Sequence, residues 1–222
     1  MKQFWNKYKV FLRPLLVLFL VYAVALLPMW RANYSYEDDQ WRIFHGRGEW
    51  GYFSRYISDF LAQAMGGTLG GLSDISPLMQ IVAALIMSLS GIILVYVLCD
   101  KKVTVGKALL TVPLGLSPWF LQCMSYKFDA VFMALSVLAS IAPFLLMKNR
   151  KKFMVGSMVG LLIMCMTYQA SSGIYIVVAI FVALKDWLGI NERERERERE
   201  SWAGGRIFGG GRRSLYLFPA HF

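Results

Sequence analysis

The hydrophobic and polar positions of this chain fall into long blocks, with no sustained two-residue alternation. Five apolar stretches stand out: Val10–Trp30, interrupted only by Arg13, then Leu78–Cys99, Ala108–Met124, Ala130–Met147, and Phe153–Leu184 with no charge over 32 residues. A helix needs about 20 residues to cross the ~30 Å hydrocarbon core of a bilayer, so the first four predict single crossings. The fifth is too long for one crossing and has a polar centre, Thr167-Tyr168-Gln169-Ala170-Ser171-Ser172-Gly173. It reads as a tight hairpin of two helices, with one strongly tilted helix as the alternative. The pattern predicts an all-α polytopic membrane protein of about six transmembrane helices, with a transmembrane region over residues 1–190.

Between the first two spans lies a large loop, residues 31–77. Within it Phe53, Tyr56, Ile57, Phe60, Leu61 and Ala64 recur at i, i+3, i+4, i+7, i+8 and i+11, which predicts an amphipathic helix. Arg55, Ser58, Asp59 and Gln63 take the opposite face. Its aromatic content suits the membrane interface; packing against the span bundle is the competing reading. Gly66-Gly67 marks its end, and Ser76-Pro77 reads as an N-cap followed by a first-turn proline launching the second span.

Composition agrees with the blocks. Hydrophobic residues make up 57% and charged residues 17%, with a mean hydropathy of +0.47. That is too apolar for a soluble cytosolic enzyme or a disulfide scaffold. The net charge of +10 invites a nucleic-acid partner, but its placement argues otherwise. The N-terminus, the loops after spans two and four and the end of span six hold twelve basic residues, against Asp100 and Asp186 alone. The other side carries Arg31, Arg42, Arg47, Arg55 and Lys127 against seven acids. This alternation puts the N-terminus in the cytoplasm and excludes a nucleic-acid role. The first apolar stretch exceeds the 7–15 residues of a signal-peptide core, and no cleavage pattern follows, so it reads as an uncleaved span. Cys99, Cys123 and Cys165 lie in or at the ends of spans without metal-ligand spacing, and read as packing residues.

Chemistry concentrates on the acidic side. Glu37-Asp38-Asp39 follow the first span directly. Asp38 and Asp39 can share a divalent cation, or one can act as a general base with its pKa raised by the other; a solvated acidic loop is the bland reading. Ser125-Tyr126-Lys127-Phe128-Asp129 sets one cation and one anion on the same side. Lys127 there can meet a phosphate as a point charge, or simply pair with its neighbour. Tyr168 and Gln169 offer hydrogen bonds at the hairpin tip, or cap its helices. His45 alone carries no catalytic signal.

The run Tyr34-Ser35-Tyr36-Glu37-Asp38-Asp39-x-x-Arg42, then Trp50, Phe53-Ser54-Arg55 and Leu72-Ser73-Asp74-Ile75-Ser76-Pro77-Leu78, resembles the phage-type O-antigen glucosyltransferases of the Gtr family. Ser125–Asp129 with Met133-Ala134-Leu135, and Tyr168-Gln169-Ala170-Ser171, are similar to later patterns of that family. The likeness covers about residues 1–190. It implies a C-superfamily glycosyltransferase in the bacterial inner membrane, active on the periplasmic face. Such an enzyme moves a sugar, glucose by the family name, from a polyprenyl-phosphate donor to a surface polysaccharide. The resemblance makes Asp38 or Asp39 the general base, and Arg42 and Lys127 the donor-phosphate ligands. Glu37, Tyr126, Asp129, Tyr168 and Gln169 become substrate-binding residues, with the Phe53–Ala64 helix guiding the polyprenyl chain. No cofactor is required beyond the divalent cation considered at Asp38 and Asp39. The bilayer, a flippase and a donor-making glycosyltransferase are the implied partners.

After Asn191 a Glu-Arg run covers Glu192–Glu200, and a Gly/Arg-rich ending follows. A GA dinucleotide repeat encodes Glu-Arg in any frame, and such repeats slip. Residues 191–222 therefore read as a frameshifted tail on a truncated, inactive product; a genuine short variant is the alternative. Two other functions stay open: a transporter or flippase for lipid-linked sugars, which would need polar residues near the midplane, and a non-catalytic membrane subunit.

Overall fold

The computed structural model describes residues 2–66 and 72–189, and every regular element among them is helical. The chain divides into two compact units, Met1–Ile180 and Phe181–Phe222, and the helix bundle with its loops belongs to the first. The Glu-Arg run and the tail lie outside the described residues.

The long helices are α1 (Lys2–Ala32), α4 (Leu78–Leu98), α9 (Arg150–Thr167) and α10 (Ser172–Trp187). Short helices α2 (Asp38–His45) and α3 (Tyr56–Gly66) fill the first loop, with a 3-10 turn at Trp50–Phe53 before α3. The third apolar stretch breaks into α5 (Val105–Leu109), α6 (Val112–Leu116) and α7 (Pro118–Ser125), and the fourth forms α8 (Ala130–Ile141) with a 3-10 extension, Ala142–Leu146.

Helices α1, α4, α8 and α9 form the packed centre, which buries Leu18, Tyr22, Leu26, Ala83, Ala84, Met87, Ala134 and Val137. In an apolar medium helices gain by approaching closely, which favours small residues at their contacts. A Cβ added at Gly91 would meet Thr111 and Leu18, at Gly115 the Tyr22 ring, and at Gly160 the Ala139 carbonyl. The interruption between α5 and α6 has its own partner, because the Tyr22 hydroxyl donates to the Thr111 carbonyl at 3.2 Å.

Among the described residues three helices are long and apolar enough to cross a membrane: Phe11–Ala32, Leu78–Leu98 and Gln169–Trp187. A fourth crossing arises if Val105–Leu116 and Pro118–Ser125, bent by 66° between them, count as one. This is fewer than the six expected. The bend falls where Ser117 leaves helical geometry, caps Phe120 N–H with its side chain and precedes Pro118. The apolar helix Ala130–Leu146 falls below spanning length. Helix α9 opens on Arg150, Lys151 and Lys152, so its apolar part, residues 153–167, reaches only about 22 Å at about 1.5 Å per residue.

Other expectations fare variously. The fifth stretch is two helices, α9 and α10, separated at Tyr168 and facing each other through Tyr175 Oη, which donates to Ser157 Oγ at 2.9 Å. The amphipathic helix exists but opens at Tyr56, because Ser54 adopts a left-handed conformation and closes the preceding turn. Leu78, not Pro77, opens α4; the Ser76–Pro77 peptide is cis, and Ser76 N–H donates to Asp74 Oδ1 at 2.9 Å. Two ends of the bundle result. At one, Asp100, Lys101 and Lys148 line a common cavity. At the other, residues 33–66, 72–77, 125–129 and 167–171 meet, and we call this the loop end.

Candidate active site

Helix α2 is turned inside out for a water-soluble protein. It buries Asp39 and Arg42 and exposes Trp41, Ile43 and Phe44, the last at 85%. Its chain reverses at Gly46, a left-handed C-cap whose N–H returns to the Arg42 carbonyl. The following segment brings Trp50 down onto the bundle, where its ring stacks edge-on against Phe132. Gly48 permits this: any Cβ there would collide with the Trp50 ring.

Asp129 is the hub. It stands just before α8 and is almost wholly buried, with Arg42 Nη1 donating to one carboxylate oxygen and Trp50 Nε1 to the other. Arg42 also donates from Nε to the Gly48 carbonyl at 3.3 Å and lies 4.8 Å from the Trp50 ring centroid. Its Nη2 is 3.9 Å from Asp38 Oδ2. Burial pushes the Asp129 carboxyl above the usual aspartate range, and the Arg42 charge and the Trp50 hydrogen bond pull against it.

The two neighbouring aspartates have opposite fates. Asp39 is 0% exposed. Its Oδ2 accepts from the backbone N–H of Tyr36 at 3.1 Å and of Lys127 at 3.0 Å, and its Oδ1 from Phe128 N–H at 3.4 Å. Burial raises its pKa against those three hydrogen bonds, with the Asp129 charge adding a smaller push. Asp39 thus ties the first loop to the turn before α8. The Asp38 side chain is 65% exposed, and among the described residues its one ion-pair contact is the long one to Arg42. With Asp39's oxygens taken by backbone N–H groups, the pair does not present two carboxylates to a shared divalent cation. Among the described residues no group of three or more His, Cys, Asp and Glu side chains is placed to hold a metal.

Lys127 is buried, and its Nζ donates to Asp74 Oδ2 at 3.3 Å. Desolvation alone would raise the Asp74 carboxyl, but hydrogen bonds from Ser76 and the Lys127 charge more than reverse it and hold it below the usual range. Tyr126 packs edge-on against Tyr36 at 5.1 Å, and its hydroxyl is pushed up to about 12 by desolvation and by the nearby Asp38 and Glu37 charges. Glu37 is exposed at the start of α2. Tyr168 lies under the Arg55 guanidinium at 5.0 Å, and Gln169 Nε2 donates to the Phe53 carbonyl at 3.0 Å. His45 Nδ1 lies 3.0 Å from the Trp41 carbonyl of its own helix.

The structure therefore gathers every expected site residue at the loop end. Arg42 and Asp129 are buried there as a pair, Lys127 is paired with Asp74 and Asp39 is enclosed by backbone N–H groups, while Glu37 and Asp38 stay open. Three further residues belong to the cluster: Trp50, Asp74 and Arg55. Trp50 and Asp74 stand in conspicuous sequence motifs, but their partners lie 79 and 53 residues away, a distance no local pattern spans.

An open cleft of about 560 Å³ adjoins the cluster, lined by Asp38, Trp41, Arg42, Gly48, Glu49, Tyr52 and Phe53. Aromatic rings with a few convergent polar groups give a concave site both stacking surfaces and hydrogen bonds. A carboxylate at its wall can accept a proton from a bound hydroxyl group.

No curated protein and no solved structure matches the chain. The family model for glucosyl transferase GtrII matches residues 27–203, which is more than half of the chain and takes in the whole cluster, and the chain belongs to that family.

Proposed function

We propose that this protein transfers a sugar, glucose by the family name, from a polyprenyl-phosphate donor to a hydroxyl of O-antigen polysaccharide at the periplasmic face of the inner membrane, with the N-terminus cytoplasmic and Asp38 as general base. The observation that carries the reading is Asp38, which with Glu49 is one of two exposed carboxylates at the wall of the aromatic cleft and the one beside the buried Arg42–Asp129 pair, in a chain of the glucosyl transferase family. Asp38 takes the proton of the acceptor hydroxyl, and the freed oxygen attacks the anomeric carbon. The bond from that carbon to the phosphate oxygen breaks, and the phosphate leaves with the electron pair. Asp39 holds the loop that presents Asp38.

The positions of the cations favour a positioning role for Arg42 and Lys127 over phosphate binding, since each is committed to a buried carboxylate. Hydroxyls within the apolar helices speak against a transport path. Ser88, Ser90 and Ser136 are buried and each donates to a carbonyl of its own helix.

The test is sugar addition to surface polysaccharide by the wild type, Asp38→Asn and Asp39→Asn, with membrane levels of each protein matched. A general base contributes about 10²–10⁴-fold, so Asp38→Asn should lose at least about a hundredfold. Normal transfer by Asp38→Asn would reject its assignment as base.

A further inference from the structure

Three cations of the loop end that are not fully exposed, Arg42, Lys127 and Arg55, differ in what holds them. Arg42 is bonded to Asp129 and touches Asp38, and Lys127 is bonded to Asp74. To bind an anion, either would first have to release a carboxylate. Arg55 has no such commitment. Among the described residues no carboxylate pairs with it, and its Nε is buried without a hydrogen-bond partner. Its guanidinium lies 5.0 Å from the Tyr168 ring centroid and 5.6 Å from that of Phe53. Rings held against a guanidinium fix its plane and leave its in-plane N–H groups as the binding edge, a geometry matched to phosphate oxygens.

The seat of Arg55 is built, not incidental. It joins the 3-10 turn to α3, and both flanks are tied to the hairpin tip. Gln169 donates to the Phe53 carbonyl, and Ser58 Oγ donates to the Thr167 carbonyl at 3.3 Å. Phe53 touches Arg55 and also walls the cleft that holds Asp38, so an anion at Arg55 would border a sugar in that cleft. From the cleft wall at Tyr52 and Phe53 the exposed rings continue to Tyr56 and Phe60, a surface suited to an apolar chain.

We propose that Arg55 is the residue that binds the phosphate of a lipid-borne phosphate ligand, whose hydrocarbon chain lies along the Phe53–Tyr56–Phe60 row. With respect to the donor this rests on the transferase reading of the Asp38 cleft. It moves the phosphate contact from Arg42 and Lys127 to a cation that makes no salt bridge among the described residues.

The experiment uses the full chain in phosphatidylcholine nanodiscs, with farnesyl phosphate as the probe and equilibrium binding as the readout. Charge-assisted hydrogen bonds are about twice as strong as neutral ones, so Arg55→Gln should weaken binding by about tenfold or more. Arg55→Lys should restore part of it, and Arg31→Gln, at an exposed cation at the end of α1, should bind like wild type. Farnesol binding as tightly as farnesyl phosphate would overturn the proposal. So would wild-type affinity in an Arg55→Gln protein, and so would an Arg55→Lys protein of wild-type melting temperature that binds no better than Arg55→Gln. Competition separates the ligand's source. Displacement by phosphatidylglycerol at equal concentration assigns the site to bilayer headgroups, and resistance to it assigns the site to isoprenoid phosphates; either result supports a phosphate site at Arg55. Because the assay reads binding and not transfer, its outcome stands apart from that of the Asp38→Asn transfer assay.

Discussion

The helix bundle and the loop end handle polar groups in opposite ways. In the bundle, several serine and threonine hydroxyls bond locally, Ser88 to the Ala84 carbonyl, Ser90 to Ile86, Ser140 to Ser136 and Thr167 to Ile163, each four residues back, while the Tyr22 and Tyr175 hydroxyls reach a neighbouring helix or its break. At the loop end the bonds reach across the chain: Arg42 to Asp129, Trp50 to Asp129, Asp39 to Lys127 and Phe128, Lys127 to Asp74. Local bonding keeps a span intact wherever it packs, because the helix satisfies its own polar groups. Long-range bonding makes the loop end one cooperative object, in which removing one member strands others. The lesson is that the fragile, specific part of this protein is the polar knot at one end of the bundle, and its aromatic surroundings keep that knot from water.

The contrast can be broken by substitution. Asp129→Ala should have the largest effect, because it leaves the Arg42 cation buried and Trp50 Nε1 unpaired; such losses cost about 3–5 kcal/mol. Thermal unfolding in detergent, followed by circular dichroism, would read it, and an unchanged midpoint would dissolve the idea of a knot. Gly48→Ala comes next. Its Cβ collides with the Trp50 ring, and overpacking of this kind costs about 1–3 kcal/mol. A shifted Trp50 fluorescence maximum in a Trp-reduced background should accompany the drop in melting temperature.

The Asp74–Lys127 pair should show as an acid-sensitive increment. The Asp74 carboxyl is held below its ordinary value, so the pair's stabilisation is complete above the unfolded aspartate pKa of about 3.9 and is lost as pH falls through the lower folded value. Wild type should outlast Asp74→Asn at neutral pH, and the two melting curves should converge on acidification. A gap constant with pH would refute the charge-based account. Ser88→Ala should matter least, at about 0.6 kcal/mol or less, because its hydroxyl serves only its own helix. A large loss there would erase the distinction between the two regions.

Much of this architecture is legible along the chain. The apolar blocks mark where the helices run, and the polar residues around Tyr168 announce the break between α9 and α10. The i, i+3, i+4 recurrence finds α3, and its exposed Tyr56 and Phe60 with buried Ser58 and Ala62 show which face meets the protein. The aromatic face is the free one, as an interfacial helix would have it. Boundaries are harder. Ser117-Pro118 bends the third stretch and the Arg150–Lys152 cations shorten the usable part of α9, so hydropathy alone overcounts crossings. Candidate residues are legible as a set, since the acids and cations of one side do meet, but their roles are not.

What the sequence determines by itself comes from short-range physics: where backbone must close its own hydrogen bonds in an apolar medium, which segments are too polar to enter it, and the glucosyl transferase family membership that its ordered motifs carry. What only the tertiary structure decides is the division of labour among similar side chains. Asp38 and Asp39 are adjacent and chemically identical, yet one is open at the cleft and the other is fully enclosed by three backbone N–H groups. Arg42, Lys127 and Arg55 are all cations of the same end, yet of these three only Arg55 lacks a carboxylate partner among the described residues. Burial and partnership set these differences, and both are properties of contacts between segments 50 to 90 residues apart rather than of any residue's own neighbourhood in the chain.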